Sequence, residues 1–149
     1  MKKESAFIPV ISVHNRQRKI AVERRALEQF ARRALSLCAR EKGSGLTNLE
    51  EINVLLISDR RIAELHLRFM QVSGPTDVMT FQHGEIFISV ETAQRQADLH
   101  RTSQASELRL YLVHGLLHLQ GFDDRRPADR RRMQAIQERI IAAAEATGE

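Results

Sequence analysis

Apolar residues recur along this chain in two distinct periods, which separate candidate strands from candidate helices. Short apolar runs bounded by polar or glycine-containing segments predict strands at residues 7–13, 50–58, 76–81 and 85–90. The remaining periodic segments predict helices at residues 17–41, 60–70, 91–100 and 127–146. A further helix is predicted to begin at a cap formed by Ser103 or Ser106 and to end at about Gln120. The predicted order is β-α-β-α-β-β-α-α-α.

Glycine and proline set several of the predicted element ends. His83-Gly84 predicts a two-residue turn between antiparallel strands. Gly121 predicts a helix end, because glycine readily adopts the left-handed conformation found there. Pro127 suits the first turn of the last helix.

These elements predict one α+β domain over residues 1–149, with a small mixed sheet of about four strands and helices packed mainly over one face. The chain shows no internal repeat, low-complexity tract or linker long enough to divide two domains. Its 149 residues, 42% hydrophobic and 28% charged, are sufficient for one buried core.

The chain is basic, with a formal net charge of +4. Arginine and lysine are dense in residues 16–33 and again in residues 125–132. Such runs are typical of solvated helix faces, and equally of a surface that binds a phosphate-rich ligand. Aromatic residues make up 5% of the chain, which disfavours binding through a platform of stacked bases.

The single cysteine and the apolar run near the start of the sequence indicate the cellular compartment. Cys38 is the single cysteine and falls on the apolar side of the first predicted helix, so we expect a small core residue in a reducing compartment. The run at residues 7–13 is too short for a signal peptide or a membrane span. A cytoplasmic protein is therefore expected.

The segment HGLLHLQGFDD at residues 114–124 carries the strongest chemical signal. His114 and His118 are one helical turn apart, which brings both imidazoles to one face, about 6 Å apart along the axis. The neighbouring residues are apolar, so each ring needs a polar partner. Gly121 ends the helix and lets the chain return toward the same face with an aspartate.

Two imidazoles and one carboxylate form a ligand set that zinc accepts, with a fourth position left for water in catalytic sites. The spacing does not decide between Asp123 and Asp124 as the third ligand, and the other carboxylate would orient an imidazole or help to activate water. The alternative interpretation is a pair of core histidines bonded to carbonyl groups. A zinc protease of the HExxHxxGxxH type is disfavoured, because Gly115 replaces its glutamate base.

The same segment resembles HGxLHLxGxDH, a motif of bacterial endoribonucleases of the YbeY type. The matching residues are His114, Gly115, Leu117, His118, Leu119, Gly121 and Asp123. A second block, PTDVMTFQ at residues 75–82, is similar to PTDVLSFP of that family, and the EIFIS that follows also fits. The blocks have the family's order and separation, and the resemblance extends over most of residues 50–124.

The resemblance implies a cytoplasmic, zinc-dependent endoribonuclease of the single-strand type that matures the 3′ end of small-subunit ribosomal RNA and acts in ribosome quality control. Its partners would be ribosomal RNA and the small subunit. Its implied metal ligands are His114, His118 and Asp124, where Asp124 replaces the family's third histidine. Asp123 is then the candidate for supporting the site or activating water.

Two further departures concern phosphate binding. The family's arginine before the PTDV block falls at Met70, and the proline that closes the block is Gln82. Arg68 is the first candidate for the missing phosphate contact, with Arg125 or Arg126 as alternatives. The missing arginine also favours a second hypothesis, an RNA-binding ribosome-assembly factor in which a metal has a purely structural role.

Overall fold

The computed structural model describes residues 7–147 and has the predicted element order. Within these residues the strands are β1 (Val10–Asn15), β2 (Glu51–Ile57), β3 (Val78–Phe81) and β4 (Glu85–Ser89). The helices are α1 (Arg24–Cys38), α2 (Asp59–Met70), α3 (Val90–His100), α4 (Gln104–Gln120) and α5 (Pro127–Ala146). None of these helices is both long and apolar enough to cross a lipid bilayer.

The four strands form one mixed sheet in the order β1-β2-β4-β3. β1 and β4 both pair with β2 in parallel, and β3 pairs with β4 in antiparallel orientation. β2 is therefore central, and its residues Ile52, Val54 and Leu56 are completely buried on one face. This position explains the nearly continuous apolar run of β2, since a strand covered on both faces needs few polar residues.

Helices cover the two sheet faces unequally, which confirms the predicted α+β arrangement. α1, α3, α4 and α5 contribute to the main core over the face that carries Ile52 and Ile86. On the opposite face α2 packs Ile62 and Leu65 against Met79 of β3 in a smaller cluster. α2 is thus a single helix between that face and solvent, and its last turn lies near the end of β3.

The predicted start of α1 at residue 17 is wrong, since the helix begins at Arg24. The preceding segment forms an irregular turn around Gln17, whose Nε2 donates to the carbonyl oxygen of Ile20 at 2.7 Å. Gln17 Oε1 accepts from the Ile20 N–H at 3.1 Å. These local bonds satisfy backbone groups of Ile20 without a helix, and so compete with a helical turn over the same residues.

The turn between β3 and β4 has three residues rather than the predicted two. Phe81 pairs with Glu85, so residues 82–84 form the loop. Gly84 has φ +115° and donates its N–H to the Phe81 carbonyl at 2.9 Å. A Cβ there would lie 2.7 Å from the Glu51 carbonyl oxygen, so both conformation and space require glycine.

α4 is the central helix, and it approaches the sheet closely at Gly115. A Cβ at this position would lie 2.9 Å from Cγ2 of Ile86 on β4. The helix backbone therefore rests against the sheet, and its other faces meet α1, α3 and α5. His114 and His118 project from an edge of this buried helix, where each is partly exposed.

Gln120 anchors the C-terminal end of α4 to the loop after α1. Its side chain is 1% exposed. Its Nε2 donates to the carbonyl oxygens of Glu41 at 2.8 Å and Gly43 at 3.0 Å, and its Oε1 accepts from the Leu46 N–H at 3.0 Å. Every hydrogen-bonding end of this buried amide is used, which fixes the helix end from which the histidines project.

We expect Gln120→Leu to lower the free energy of unfolding by about 2–4 kcal/mol, because a buried N–H and two carbonyl groups lose their partner. Urea denaturation monitored by circular dichroism measures this loss. Gln29→Leu is the matched control, since Gln29 is exposed on α1, and it should change stability by less than about 0.5 kcal/mol. Equal midpoints for the two variants would contradict the anchoring role of Gln120.

Candidate metal centre

The end of α4 reverses the chain so that Asp124 returns to the two histidines. Gly121 has φ +122°, and its N–H donates to the His118 carbonyl at 3.1 Å. The Phe122 N–H donates to the Leu117 carbonyl at 3.0 Å, which completes a Schellman motif. The predicted helix end at Gly121 is confirmed. The returning segment is also held by α5, where Arg130 Nη1 donates to the Asp124 carbonyl oxygen at a distance of 3.3 Å.

Three ligand atoms converge after this reversal. His114 Nε2 and His118 Nε2 are 3.1 Å apart. Asp124 Oδ2 lies 3.4 Å from the first nitrogen and 3.5 Å from the second. The structure thus brings together the two histidines and the aspartate that were predicted as metal ligands, in a group able to hold one ion.

The size of this triangle fits zinc. Ligand bonds of about 2.0–2.1 Å in tetrahedral geometry place two ligand atoms about 3.3 Å apart. The observed edges of 3.1, 3.4 and 3.5 Å bracket that value. Nitrogen and carboxylate oxygen are also a ligand combination that zinc accepts, so geometry and donor chemistry agree.

The opposite nitrogen of each ring is held by an acceptor from the chain. His118 Nδ1 lies 3.0 Å from the Phe122 carbonyl oxygen, and a carbonyl can only accept. His114 Nδ1 lies 3.0 Å from Gln137 Oε1. With both Nδ1 atoms protonated, both Nε2 atoms direct lone pairs at each other and at the carboxylate. An arrangement of three acceptors at this distance favours a cation among them.

The environment of His114 favours its neutral form. Burial lowers the pKa of this imidazole, and the neighbouring His118 lowers it further, against the opposing effects of Gln137 and Asp124. A neutral imidazole is the form that binds a metal ion. His114 is therefore prepared for coordination near neutral pH, where the ordinary histidine pKa of about 6.5 already leaves most rings neutral.

A cavity of about 380 Å³ opens onto the three ligand atoms. Its wall opposite α4 consists of the end of α2 and the β3 segment, including His66, Met70, Thr80 and Gln82. Two of the positions where the chain departs from the resembling family, Met70 and Gln82, therefore face the site. The cavity is open to solvent, so a large polymer can reach the ligand atoms from outside.

The structure places Asp123 at the cavity edge, where it binds Arg125. Arg125 Nη2 lies 3.0 Å from Asp123 Oδ2, and the Arg125 N–H donates to Asp123 Oδ1 at 3.1 Å. These bonds lower the pKa of Asp123, so its carboxyl group is ionised at neutral pH. Arg125 also lines the cavity, whereas the alternative Arg126 does not, and Arg130 approaches the site from α5 through the Asp124 carbonyl.

Arg68 lies elsewhere. It borders a separate cavity beyond the end of α2, and its Cζ is 5.5 Å from the centroid of the Phe69 ring. Arg68 and Met70 are two residues apart on one helix, which corresponds to about 200° around the axis. The two side chains therefore face different cavities, and the structure does not bring Arg68 to the three ligand atoms.

Gln137 on α5 is a site residue that the sequence did not reveal. It is 8% exposed and holds His114 from 23 residues away. Its place among the buried residues Met133, Ile140 and Ala144 of α5 was the available signal, because a polar residue on a buried stripe needs a partner. Asp77, in the PTDV block, caps local backbone, since its Oδ1 accepts from the neighbouring Val78 N–H at 2.7 Å.

The fold and these residues define a class: small α+β proteins whose central helix presents two imidazoles and a returning carboxylate at the mouth of a cavity. Residues 12–145 match the model of a protein family described as Endoribonuclease YbeY. The chain therefore belongs to the YbeY family, as its two motif blocks indicated.

Individual relatives agree with this assignment. The Endoribonuclease YbeY of Gluconobacter oxydans (strain 621H) is 36% identical over 120 residues, which cover 76% of this chain and 71% of that protein. That of Anaeromyxobacter sp. (strain Fw109-5) is 43% identical over 105 residues, which cover 64% of this chain and 54% of that protein. The chain thus spans only about half of the second relative. The solution structure of TM1509 from Thermotoga maritima has the same fold, with a TM-score of 0.67 and 22% identity over 93% of this chain and 91% of that one.

We expect Asp124→Ala to weaken zinc binding by more than about 100-fold, because it removes one of three ligand atoms, whereas loss of a supporting residue costs 10–100-fold at most. Asp123→Ala is the matched control and should weaken binding by less than about tenfold. Zinc affinity measured by chelator competition decides between them. The reverse ranking would identify Asp123 as the third ligand. Asp124→His should retain zinc, because an imidazole then replaces the carboxylate.

Proposed function

We propose that this protein is a zinc-dependent endoribonuclease that hydrolyses phosphodiester bonds of ribosomal RNA. Membership of the YbeY family supports the reaction, since the matching relatives are named endoribonucleases. The observation that carries the metal dependence is the triangle of His114 Nε2, His118 Nε2 and Asp124 Oδ2 at 3.1–3.5 Å. The proposed biological role is maturation of the small-subunit RNA 3′ end in the cytoplasm, together with ribosome quality control.

The residues of the chain have separable parts in this reaction. His114, His118 and Asp124 would hold the ion, and Gln137 with the Phe122 carbonyl orients the two rings. When bound, zinc supplies a Lewis acid that polarises a phosphoryl oxygen and makes water a better nucleophile at neutral pH. Three ligands from the protein leave space for water and substrate, as in other catalytic zinc sites.

Residues at the edge of the cavity would position the phosphate. Arg125 lines the cavity and offers a guanidinium group suited to paired hydrogen bonds with phosphate oxygens. Its present partner, Asp123, neutralises part of that charge, and a phosphate would compete for the same N–H groups. Thr76 and Thr80 on the opposite wall add hydroxyl groups. Asp123, once released from Arg125, would accept a proton from water.

A second candidate function is RNA binding during ribosome assembly, with a metal that only clamps the end of α4 to the segment that follows. The exposed side chain of Met70 at the cavity wall favours it, because an arginine there would have neutralised phosphate. A peptidase is disfavoured for a structural reason, since Gly115 faces Ile86 of the sheet and leaves no space for a glutamate.

Cleavage of a ribosomal RNA fragment that contains the small-subunit 3′ end separates the two functions. We expect cleavage by the wild-type protein, and its loss after chelation or in His114→Ala, because each removes the metal. RNA binding by His114→Ala should persist and serves as the folding control. Cleavage that survives in His114→Ala would overturn the metal-dependent mechanism. RNA binding without cleavage by the zinc-loaded wild type would instead support the assembly factor.

We expect Arg125→Ala to lower the cleavage rate about 10- to 100-fold at unchanged zinc affinity, since it removes phosphate neutralisation but no ligand. Single-turnover cleavage beside the zinc titration measures both quantities. Arg131→Ala is the matched control, because Arg131 is exposed on α5 and does not border the cavity. Equal losses in both variants would show that only general basic charge matters.

A further inference from the structure

A second cavity, of about 280 Å³, lies beside the cavity of the metal centre. Its lining comes from α2, from β3 and β4, and from the loop between these strands. Consecutive residues divide between the two cavities: Phe69 borders the second and Met70 the first, while Phe81 borders the second and Gln82 the first. Because neighbouring Cα atoms are about 3.8 Å apart, one layer of chain separates the cavities.

Aromatic rings form the floor and rim of this second cavity. Phe81 contacts Phe69 and Phe87 edge to face, with ring centroids 5.2 and 5.6 Å apart. Phe69 at the rim is 52% exposed, so a large apolar ring faces solvent next to the candidate active site. The overall composition disfavours a stacking platform, but the fold gathers three of the six phenylalanines at this one place.

Charged groups surround the rings. Arg61 and Arg68 border the cavity on the α2 side, and the Arg68 guanidinium lies over the Phe69 ring with Cζ 5.5 Å from the centroid. On the loop side, His83 Nε2 lies 2.8 Å from Glu85 Oε1, which provides polar atoms at one end of an otherwise apolar space. The cavity thus offers flat apolar surfaces, a polar end and nearby positive charge.

We infer that this cavity holds an unpaired base of an RNA strand whose adjoining phosphate lies in the metal cavity. The inference rests on the proposed function and locates where one base next to the reacting phosphate would bind. A base has two apolar faces for the phenylalanine rings, a polar edge for His83 and Glu85, and a linked phosphate for arginine. Unpaired bases commonly stack on aromatic rings and on arginine, whereas bases within a duplex are not available for such contacts.

The dimensions favour a base over a protein partner. A volume of about 280 Å³ is near the lower end of the roughly 300–1,000 Å³ of small-molecule sites, which suits one heterocycle. A stable protein interface needs about 800 Å² on each partner, far more than this cluster of rings provides. A nucleotide chain also suits two cavities that one layer of chain separates, because its base and its phosphate are linked but distinct groups.

The test uses an unstructured oligoribonucleotide of about ten nucleotides that contains 2-aminopurine, whose fluorescence falls when the base stacks. Binding is measured with the His114→Ala protein, which cannot cleave if the proposed function is right. We expect Phe69→Ala in that background to weaken binding about 5- to 150-fold and to reduce quenching, since one base–aromatic stack has that effect. Phe69→Tyr should retain affinity, because the ring remains.

Leu67→Ala is the matched control, since Leu67 is 58% exposed on the same helix and borders neither cavity. It should leave RNA affinity and quenching unchanged, and a duplex of the same sequence should bind more weakly than the single strand. Equal affinities of Phe69→Ala and Leu67→Ala would overturn the inference. The inference would also be overturned if Phe69→Ala changed the sedimentation of the protein alone but left RNA affinity unchanged. That result would indicate that Phe69 serves self-association.

Cleavage by the wild-type protein in parallel distinguishes this inference from the proposed function. Cleavage without any Phe69 dependence overturns the base site and leaves the endoribonuclease intact. Quenching that depends on Phe69 without cleavage supports the base site and overturns the catalytic function. Absence of both binding and cleavage overturns both.

Discussion

The convergence of three electron-pair donors at one helix end is the constraint on which the rest of the site depends. His114 Nε2, His118 Nε2 and Asp124 Oδ2 lie within 3.1–3.5 Å of one another, and mutual repulsion would separate them in a flexible segment. They are held because α4 is buried along the sheet, because Gln120 ties its end to the loop after α1, and because the Schellman turn fixes the returning chain. A bound cation would attract all three atoms and so replace their mutual repulsion. The fold therefore positions the three ligand atoms, and the ion would stabilise that arrangement.

Features that depend on local sequence were predictable. The spacing of His114 and His118, the helix end at Gly121 and the start of α5 at Pro127 follow from neighbouring residues, and the structure has them as expected. Two element boundaries differ from the prediction. Gln17 forms side-chain hydrogen bonds with Ile20 in place of the predicted first turns of α1, a local arrangement that apolar periodicity does not reveal. The loop between β3 and β4 has one residue more than predicted, and a Cβ on its Gly84 would meet the distant Glu51 carbonyl.

Contacts between distant elements could not be read from one sequence. Gln137 reaches His114 from α5, and nothing near either residue in the chain indicates the pairing. Arg68 is a different case. It is only two residues from Met70 in the sequence, but its side chain points in a different direction. Two helical steps turn a side chain to the far side of the axis, so helix periodicity already argued against a phosphate contact beside the metal ligands. What periodicity could not show is that Arg68 faces a second cavity with three phenylalanine rings.

Two of the three departures from the family motif, Asp124 and Met70, act in the same electrostatic direction. With zinc bound as proposed, Asp124 in place of a neutral histidine lowers the charge of the centre by one unit, and Met70 in place of arginine removes another. Phosphate attraction at the metal cavity is therefore weaker than the motif would provide, and Asp123 partly neutralises the remaining Arg125. Binding energy must then come from parts of the substrate away from the reacting phosphate, as is general when contacts at the reacting group are limited. Stacking on the exposed aromatic rings of the adjoining cavity would be a source of such energy, so the weaker phosphate attraction and the inferred base site are best understood together.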